Sequence, residues 1–297
     1  MNILLTGSSG FLGKEIINQN KSHLFFSLNR KIGNYKFNLS TTIPDFGHDL
    51  FDIVIHAAGK AHSVPKNDLE NIAFFDVNVK GTQNLLYSIE SSGKLPIRFI
   101  FISTVAVYGL NQGQNINENT PLLAMDPYGL SKIQAEQLVL EWCQKNNVTC
   151  TILRLPLLVG ENPPGNLGAM IHGIKKGYYF NIAGGLARKS MVLAEDVANI
   201  LLKASEIGGI YNLTDGYHPN FYELSKAIAK QYGKSKLFNL PFIIAKSIAL
   251  VGDVLGAKFP LDSNKLKKIT TDLTFDDTKA RKVIGWKPEK VLDYYNK

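Results

Sequence analysis

Apolar residues come in short, nearly unbroken runs through the first half of the chain, separated by stretches of helical spacing. Asn2 to Thr6 is one such run and ends at Gly7, after which Phe11 to Asn18 has helical spacing. His23 to Leu28 is a second run, closing at Asn29-Arg30, and Phe51 to His56 is a third, followed by Ala57-Ala58-Gly59. Ile97 to Ser103 and Thr149 to Leu153 complete the series. Runs without alternation describe strands covered on both faces, the condition of a parallel sheet. Between them, Asn71 to Ser91 predicts a helix with Val77, Leu85, Leu86 and Ile89 inward. Tyr128 to Lys145, introduced by Asp126-Pro127, predicts another. Strands alternating with helices imply an α/β fold, a doubly wound parallel sheet with right-handed crossovers.

After about residue 160 the pattern changes. Glu161 to Gly165 reads as a loop, Leu167 to Lys176 as a helix, and Gly208 to Leu213 as one further strand returning to the sheet. Phe221 to Tyr232 and Phe242 to Leu255 read as helices, and the tail closes with Gly285-Trp286-Lys287-Pro288. At 297 residues the chain is long for one core and short for two independent ones. We therefore divide it at residues 1–160 and 161–297, the second part a smaller lobe with about 190–215 crossing back to the first. The longest apolar stretch, Pro241 to Gly256, is interrupted by Lys246 and Asp253 and is too short and too charged to span a bilayer. A buried helix is its plain reading, and a helix lying on a membrane surface is the alternative.

Hydrophobic content of 45% describes an ordinary soluble globular protein. The N-terminus lacks a basic segment and a cleavage site, so no signal peptide is expected. Two cysteines, Cys143 and Cys150, fit a reducing, cytoplasmic compartment without structural disulfides. The histidines (His23, His48, His56, His62, His172, His218) are scattered and form no metal motif. The net charge of +8 raises nucleic acid as a partner. Its densest runs, Lys265 to Lys268 and Lys279 to Lys282, are short and mixed with apolar residues, as solvated helix faces are. They argue against nucleic acid, and a positive field equally suits an anionic small substrate.

Gly7, Gly10 and Gly13 form G-x-x-G-x-x-G between a strand and a helix. Glycine lets the backbone approach a pyrophosphate, and the helix N-terminus offers amide donors and a positive dipole, so Gly7, Gly10, Phe11, Leu12 and Gly13 are candidate cofactor residues. This makes the sheet Rossmann-type. After the second strand, where a carboxylate would bind the ribose 2′-hydroxyl of NAD, stand Asn29 and Arg30. An arginine can pair with a 2′-phosphate, which favours NADP over NAD.

Tyr128 and Lys132 are four residues apart and share one helix face. An ammonium held close to a phenol stabilises the phenolate, so that the tyrosine can exchange protons near neutral pH. Beside a nicotinamide, such a phenol interconverts an alcohol and a ketone.

Gly7-Ser-Ser-Gly-Phe-Leu-Gly13, His56-Ala-Ala-Gly59, Val77-Asn-Val-Lys-Gly-Thr82, Ser103-Thr-Val-Ala-Val-Tyr-Gly109 and Tyr128-Gly-Leu-Ser-Lys132 occur in order. Together they resemble the extended short-chain dehydrogenase/reductase superfamily, specifically its nucleotide-sugar epimerase/dehydratase family. Arg154 to Gly160, Arg188 to Asp196 and Phe275 to Pro288 extend the resemblance over nearly the whole chain. The resemblance implies Tyr128 as acid/base, Lys132 as its activator and ribose ligand, and Thr104 as hydrogen-bond partner of the sugar oxygen. It implies Ala57, Ala58, Gly59, Asn78, Gly81 and Ser103 around the cofactor, and Asn166, Arg188 and Lys189 around the diphosphate of a nucleotide-sugar substrate. A homodimer is also implied.

Dehydratases of this family usually place an acidic pair after the threonine. Here Val105 and Ala106 stand there and cannot transfer protons, which argues against a 4,6-dehydratase. The expectation is action at C4 of a UDP-linked hexose, as a 4-epimerase or a 4-ketoreductase, in the branch that makes bacterial surface polysaccharides. A non-catalytic, cofactor-sensing member is the alternative from another class.

Overall fold

Ile3 and Leu5 point to one side of the first strand and Leu4 to the other, and all three are fully buried. A strand can bury both faces only between two layers of helix. In the computed structural model, which describes residues 1–61, 65, 67–234, 236–256, 259 and 261–296, that is the arrangement. His62 lies outside the described residues.

The first part of the chain runs β1 (Asn2–Thr6), α1 (Phe11–Gln19), β2 (Leu24–Asn29), β3 (Tyr35–Lys36), β4 (Ile53–His56), α2 (Asp68–Phe75), α3 (Gly81–Ser91), β5 (Arg98–Thr104), β6 (Gly113–Ile116), α4 (Pro127–Lys145) and β7 (Thr149–Leu155). The second runs β8 (Leu157–Val159), α5 (Gly165–Lys176), β9 (Phe180–Ile182), β10 (Met191–Leu193), α6 (Ala194–Ile207), β11 (Gly209–Asn212), α7 (Phe221–Gln231), β12 (Phe238–Leu240), α8 (Phe242–Leu255), α9 (Ser263–Thr270), β13 (Leu273–Phe275), α10 (Thr278–Val283) and α11 (Val291–Asn296).

The central sheet has seven strands in the order β11-β7-β5-β4-β1-β2-β3, every pair parallel. Ile16 of α1 and Val197 and Leu201 of α6 pack on the face of Ile3 and Leu5. Leu85 of α3 and Val139 and Trp142 of α4 pack on the face of Leu4. The strand expected at Gly208 to Leu213 is β11, which pairs with β7 at the edge of this sheet.

Because all strands run the same way, their C-terminal ends line one edge. Thr6 is in register with Leu28 and His56, His56 with Phe101, and Thr104 with Leu155. Chain order reverses direction at β1 and β4, and such a reversal opens a crevice at this edge.

Two elements depart from expectation. The helix over Asn71 to Ser91 begins at Asp68 and is interrupted by a π turn over Asp76–Lys80. A π turn widens the helix by one residue, a change the apolar period does not register. It buries Asn78 against Ser131 of α4. The second departure corrects the reading of Phe242 to Leu255. The helix forms as α8, but it is not a buried helix: Ile243 is 79% exposed and Val254 87%. Only Ala245, Ala249 and Gly252 are buried. At Gly252 an added Cβ would lie 1.9 Å from the carbonyl oxygen of Leu261. Docking through so close a strip of small residues turns the bulky side chains outward.

Candidate active site

The turn after β1 is held by backbone contact. Gly7 has φ +73°, and a Cβ there would meet Ala58 N at 2.7 Å. A Cβ on Gly13 would lie 2.2 Å from the carbonyl oxygen of Gly7. The strand, the turn and α1 therefore close tightly, and Gly10 caps α1 with no side chain over its first amides. That leaves the N-terminus at Phe11 and Leu12 open to an anion, a cradle fitted to a dinucleotide pyrophosphate. The Phe11 ring lies against Gly160, where an added Cβ would stand 3.0 Å from it.

Asn29, at the end of β2, folds over this turn. Its amide donates to Ser8 Oγ, and its carbonyl oxygen accepts from Ser9 Oγ at 3.2 Å. Arg30 is exposed, with no hydrogen bond or ion pair among the described residues.

The neighbouring wall follows β4. Ala57 N donates to the Thr6 carbonyl at 3.3 Å, and Ala58 N to Thr6 Oγ1 at 3.0 Å. Asn78 accepts from Lys60 N at 2.7 Å and donates to Ser131 Oγ at 2.9 Å, which ties this loop to α4. A Cβ on Gly59 would lie 3.2 Å from Asn78 Oδ1. His56 below is buried between Thr6 Oγ1 at 2.7 Å and Thr82 Oγ1 at 2.9 Å. Thr82 spends its own proton on the Asn78 carbonyl, at 2.6 Å, so the imidazole proton sits on Nε2. Burial first, then the Lys132 charge, pushes this imidazole down to about 3 and keeps it neutral.

α4 is fixed at its start by Asp126, whose carboxylate accepts from Gly129 N at 3.0 Å, with Pro127 in the first turn. In that same turn, Tyr128 packs against Phe74, ring centroids 6.0 Å apart. Thr104 ends β5, accepts from Ala106 N at 3.2 Å, and has its hydroxyl close enough to the Tyr128 phenol to draw that group's pKa down. Lys132 is buried, with Nζ donating to the Ile102 carbonyl at 2.7 Å and standing 3.9 Å from the centre of the Phe101 ring. Burial pushes its ammonium down to about 7 against the opposing pull of Glu136.

Thr104, Tyr128 and Lys132 are thus brought to one strand edge, but the electrostatics differ from the simple lysine–phenol picture. Burial pushes the phenol above its ordinary 10, the Asp126 carboxylate adds to this, and only the Thr104 hydrogen bond opposes it. The reason is that the ammonium is turned onto the backbone at Ile102.

Glu136, the next residue at a spacing of four along α4, carries a network that the sequence reading missed. It pairs with Arg154 at 2.7 Å and accepts from Ser103 Oγ, whose hydroxyl is therefore committed. Arg154 reaches Tyr108 Oη at 3.1 Å, and Tyr108 donates to Asn212 Oδ1 at 2.8 Å. The series Tyr128, Lys132, Glu136 on one helix face was the available signal.

The diphosphate candidates lie in the second part of the chain. Asn166 is exposed in the first turn of α5. Arg188 donates to the His218 carbonyl at 3.0 Å and stands 3.7 Å from Glu223. Lys189 is pushed down to about 8 by burial, with Asp272 opposing and Lys268 reinforcing. No hydrogen bond or ion pair among the described residues links Asn166 to either cation. Also among the described residues, no group of His, Cys, Asp and Glu could hold a metal ion, and no helix is long and apolar enough to cross a membrane.

Comparison with known proteins gives the geometry a context. The sequence profile of the NAD dependent epimerase/dehydratase family matches residues 3–214. An N-acetyl-alpha-D-glucosaminyl-diphospho-ditrans,octacis-undecaprenol 4-epimerase of Escherichia coli O157:H7 is 30% identical over 94% of this chain and 88% of its own. A UDP-glucose 4-epimerase of Vibrio cholerae is 25% identical over 98% of this chain and 92% of its own. The fold is shared with a UDP-glucuronic acid 4-epimerase from Bacillus cereus, solved with UDP-glucuronic acid and NAD. Its TM-score is 0.75 at 18% identity, covering 100% of this chain and 97% of that one.

Proposed function

The chain belongs to the NAD dependent epimerase/dehydratase family, and from that premise we propose that it inverts C4 of a hexose carried on a diphosphate. The observation that carries this reading is the convergence of Thr104, Tyr128 and Lys132 at the sheet edge beside the glycine turn. The open N-terminus of α1, Asn29, Arg30 and the wall from Ala57 to Gly59 would hold the dinucleotide. When bound in oxidised form, the nicotinamide supplies a hydride acceptor and a positive charge.

With the dinucleotide in place, the Tyr128 oxygen, as the phenolate, would take the proton of the 4-hydroxyl, and C4 would become a ketone as its hydrogen is given up to the nicotinamide. The Thr104 hydroxyl would donate to the C4 oxygen, in the alcohol and then in the ketone, so it serves both states. Tyr128 would return the proton to the C4 oxygen as C4 is reduced on its opposite face. Lys132 supplies positive charge within the site and orients the ribose. Val105 and Ala106 offer no acid or base for loss of water. Asn166, Arg188 and Lys189 are the groups of this lobe suited to a diphosphate.

The carrier is a nucleotide or a polyprenol, the two carriers named among the relatives. The test offers the purified protein UDP-linked and polyprenyl-diphosphate-linked hexoses and reads the C4 configuration by NMR. Equilibration of the two C4 epimers on either carrier is expected; a hexose left unchanged on both would sink the reading.

Arg30 favours a second reading, a 4-ketoreductase using NADPH. Dinucleotide released by acid from fresh protein separates the two. Near-stoichiometric NAD supports the epimerase, which recycles its cofactor. Little retained nucleotide, with NADPH bound more tightly than NADH, supports the reductase.

A further inference from the structure

The outward face of α8 is apolar over its length. Placed at 100° per residue, Ile243, Ile244, Leu250, Val251, Val254 and Leu255 form one continuous exposed band, broken only by Ser247 and bordered by Lys246. A surface helix of a globular protein normally shows the opposite arrangement, with bulky apolar residues inward.

The charge around this band is mostly positive. From Leu224 to Gly252 the sequence contains Lys226, Lys230, Lys234, Lys236 and Lys246 and no Asp or Glu. Four of these lysines, Lys226, Lys230, Lys234 and Lys236, line a groove with Tyr222 and Phe238, and Phe238 belongs to the strand that leads into α8. α9, which packs against α8, presents exposed Lys267 and Lys268. The nearby acids are engaged within the fold: Asp253 accepts from Ser263 N at 2.9 Å, and Asp262 pairs with Lys265 at 3.1 Å.

We propose that this face of α8, with its lysine rim, docks the protein on the anionic surface of a lipid bilayer. The helix would lie in the plane of the headgroups, its apolar band among the upper acyl carbons and its lysines on the lipid phosphates. A second copy of the chain is the weaker occupant, because two-fold pairing on this band would bring the lysines of both copies together. Docking is independent of the C4 reading, since vesicle binding is read without substrate.

The experiment is co-sedimentation of the full chain with vesicles of phosphatidylcholine alone and of phosphatidylcholine with about one third phosphatidylglycerol. Binding to the anionic vesicles is expected, weakened about fivefold by each of Lys234→Gln and Lys236→Gln and further by added salt. Ile243→Glu with Val254→Glu should abolish it. Both positions face solvent, so thermal melting and dinucleotide binding should stay as they are, which separates lost docking from lost fold. Failure to bind anionic vesicles, or equal binding by the glutamate variant, overturns the proposal. So does a dimer in solution that the glutamate variant converts to monomer, which would assign the face to a second copy.

Discussion

The guanidinium of Arg154 and the carboxylate of Glu136 meet at 2.7 Å in the interior, with 4% and 2% of their side chains exposed. Arg154 lies on β7 in register with Ser103, and Glu136 lies on the helix that carries Tyr128 and Lys132. The pair therefore pins that helix to the sheet two turns beyond the phenol. Removing one partner strands a buried charge, which costs more than the pair itself contributes.

Glu136→Ala is accordingly expected to lower unfolding free energy by about 3–5 kcal/mol in urea titration. The double variant Glu136→Met with Arg154→Met should lose much less than the sum of the two single changes. Strict additivity would mean that the two groups do not act as a pair.

Tyr128→Phe removes the proton and keeps the ring packing on Phe74. Turnover is expected to fall by roughly 10²–10⁴-fold with dinucleotide affinity retained. Thr104→Ser should keep far more activity than Thr104→Val, since the hydroxyl is what meets the phenol. A protein whose function survives Tyr128→Phe is a sensor and not an enzyme.

Lys132 makes stability depend on pH. Its folded value is about 7 and the unfolded one 10.5, so between these limits the unfolded chain holds the extra proton. Stability from this group is full above 10.5 and is lost as pH falls toward 7. Urea unfolding at pH 7 to 10 should show wild type gaining on Lys132→Met as pH rises; parallel curves would contradict the buried ammonium. His56, pushed from 6.5 to about 3, repeats the effect in acid, with stability falling as pH drops through that window.

Gly13→Ala puts a methyl 2.2 Å from the Gly7 carbonyl oxygen, a backbone atom with no room to retreat. A loss of about 1–3 kcal/mol in stability is expected, together with weakened dinucleotide binding. Unchanged affinity in calorimetry would argue that the pyrophosphate does not sit at this turn.

Arg30→Ala addresses the cofactor. If the guanidinium meets a 2′-phosphate, NADPH affinity should fall about 10–100-fold while NADH affinity holds. Equal effects on both would return Arg30 to an ordinary surface residue.

Much of the fold was legible in the sequence because parallel strands announce themselves as unbroken apolar runs. Asn2–Thr6 and Phe242–Leu255 form at the expected bounds. Tyr128 and Lys132 were legible as neighbours on one helix face and Thr104 was added by resemblance; the structure brings the three to one strand edge. Three features were not legible. The π turn at Asp76–Lys80 leaves the apolar period nearly intact while changing where Asn78 points. The Glu136–Arg154 pair joins residues 18 apart on different elements, and charge in sequence normally means surface. In α8, hydrophobicity was read correctly and its direction wrongly. Periodicity reports which residues share a face, and the small strip of Ala245, Ala249 and Gly252 decided which face was buried.

The ammonium of Lys132 rests on the main-chain oxygen of Ile102. Every amino acid brings the same carbonyl to that position, proline included. Position 102 can drift through any codon that keeps the strand, and the acceptor for that charge is inherited unchanged.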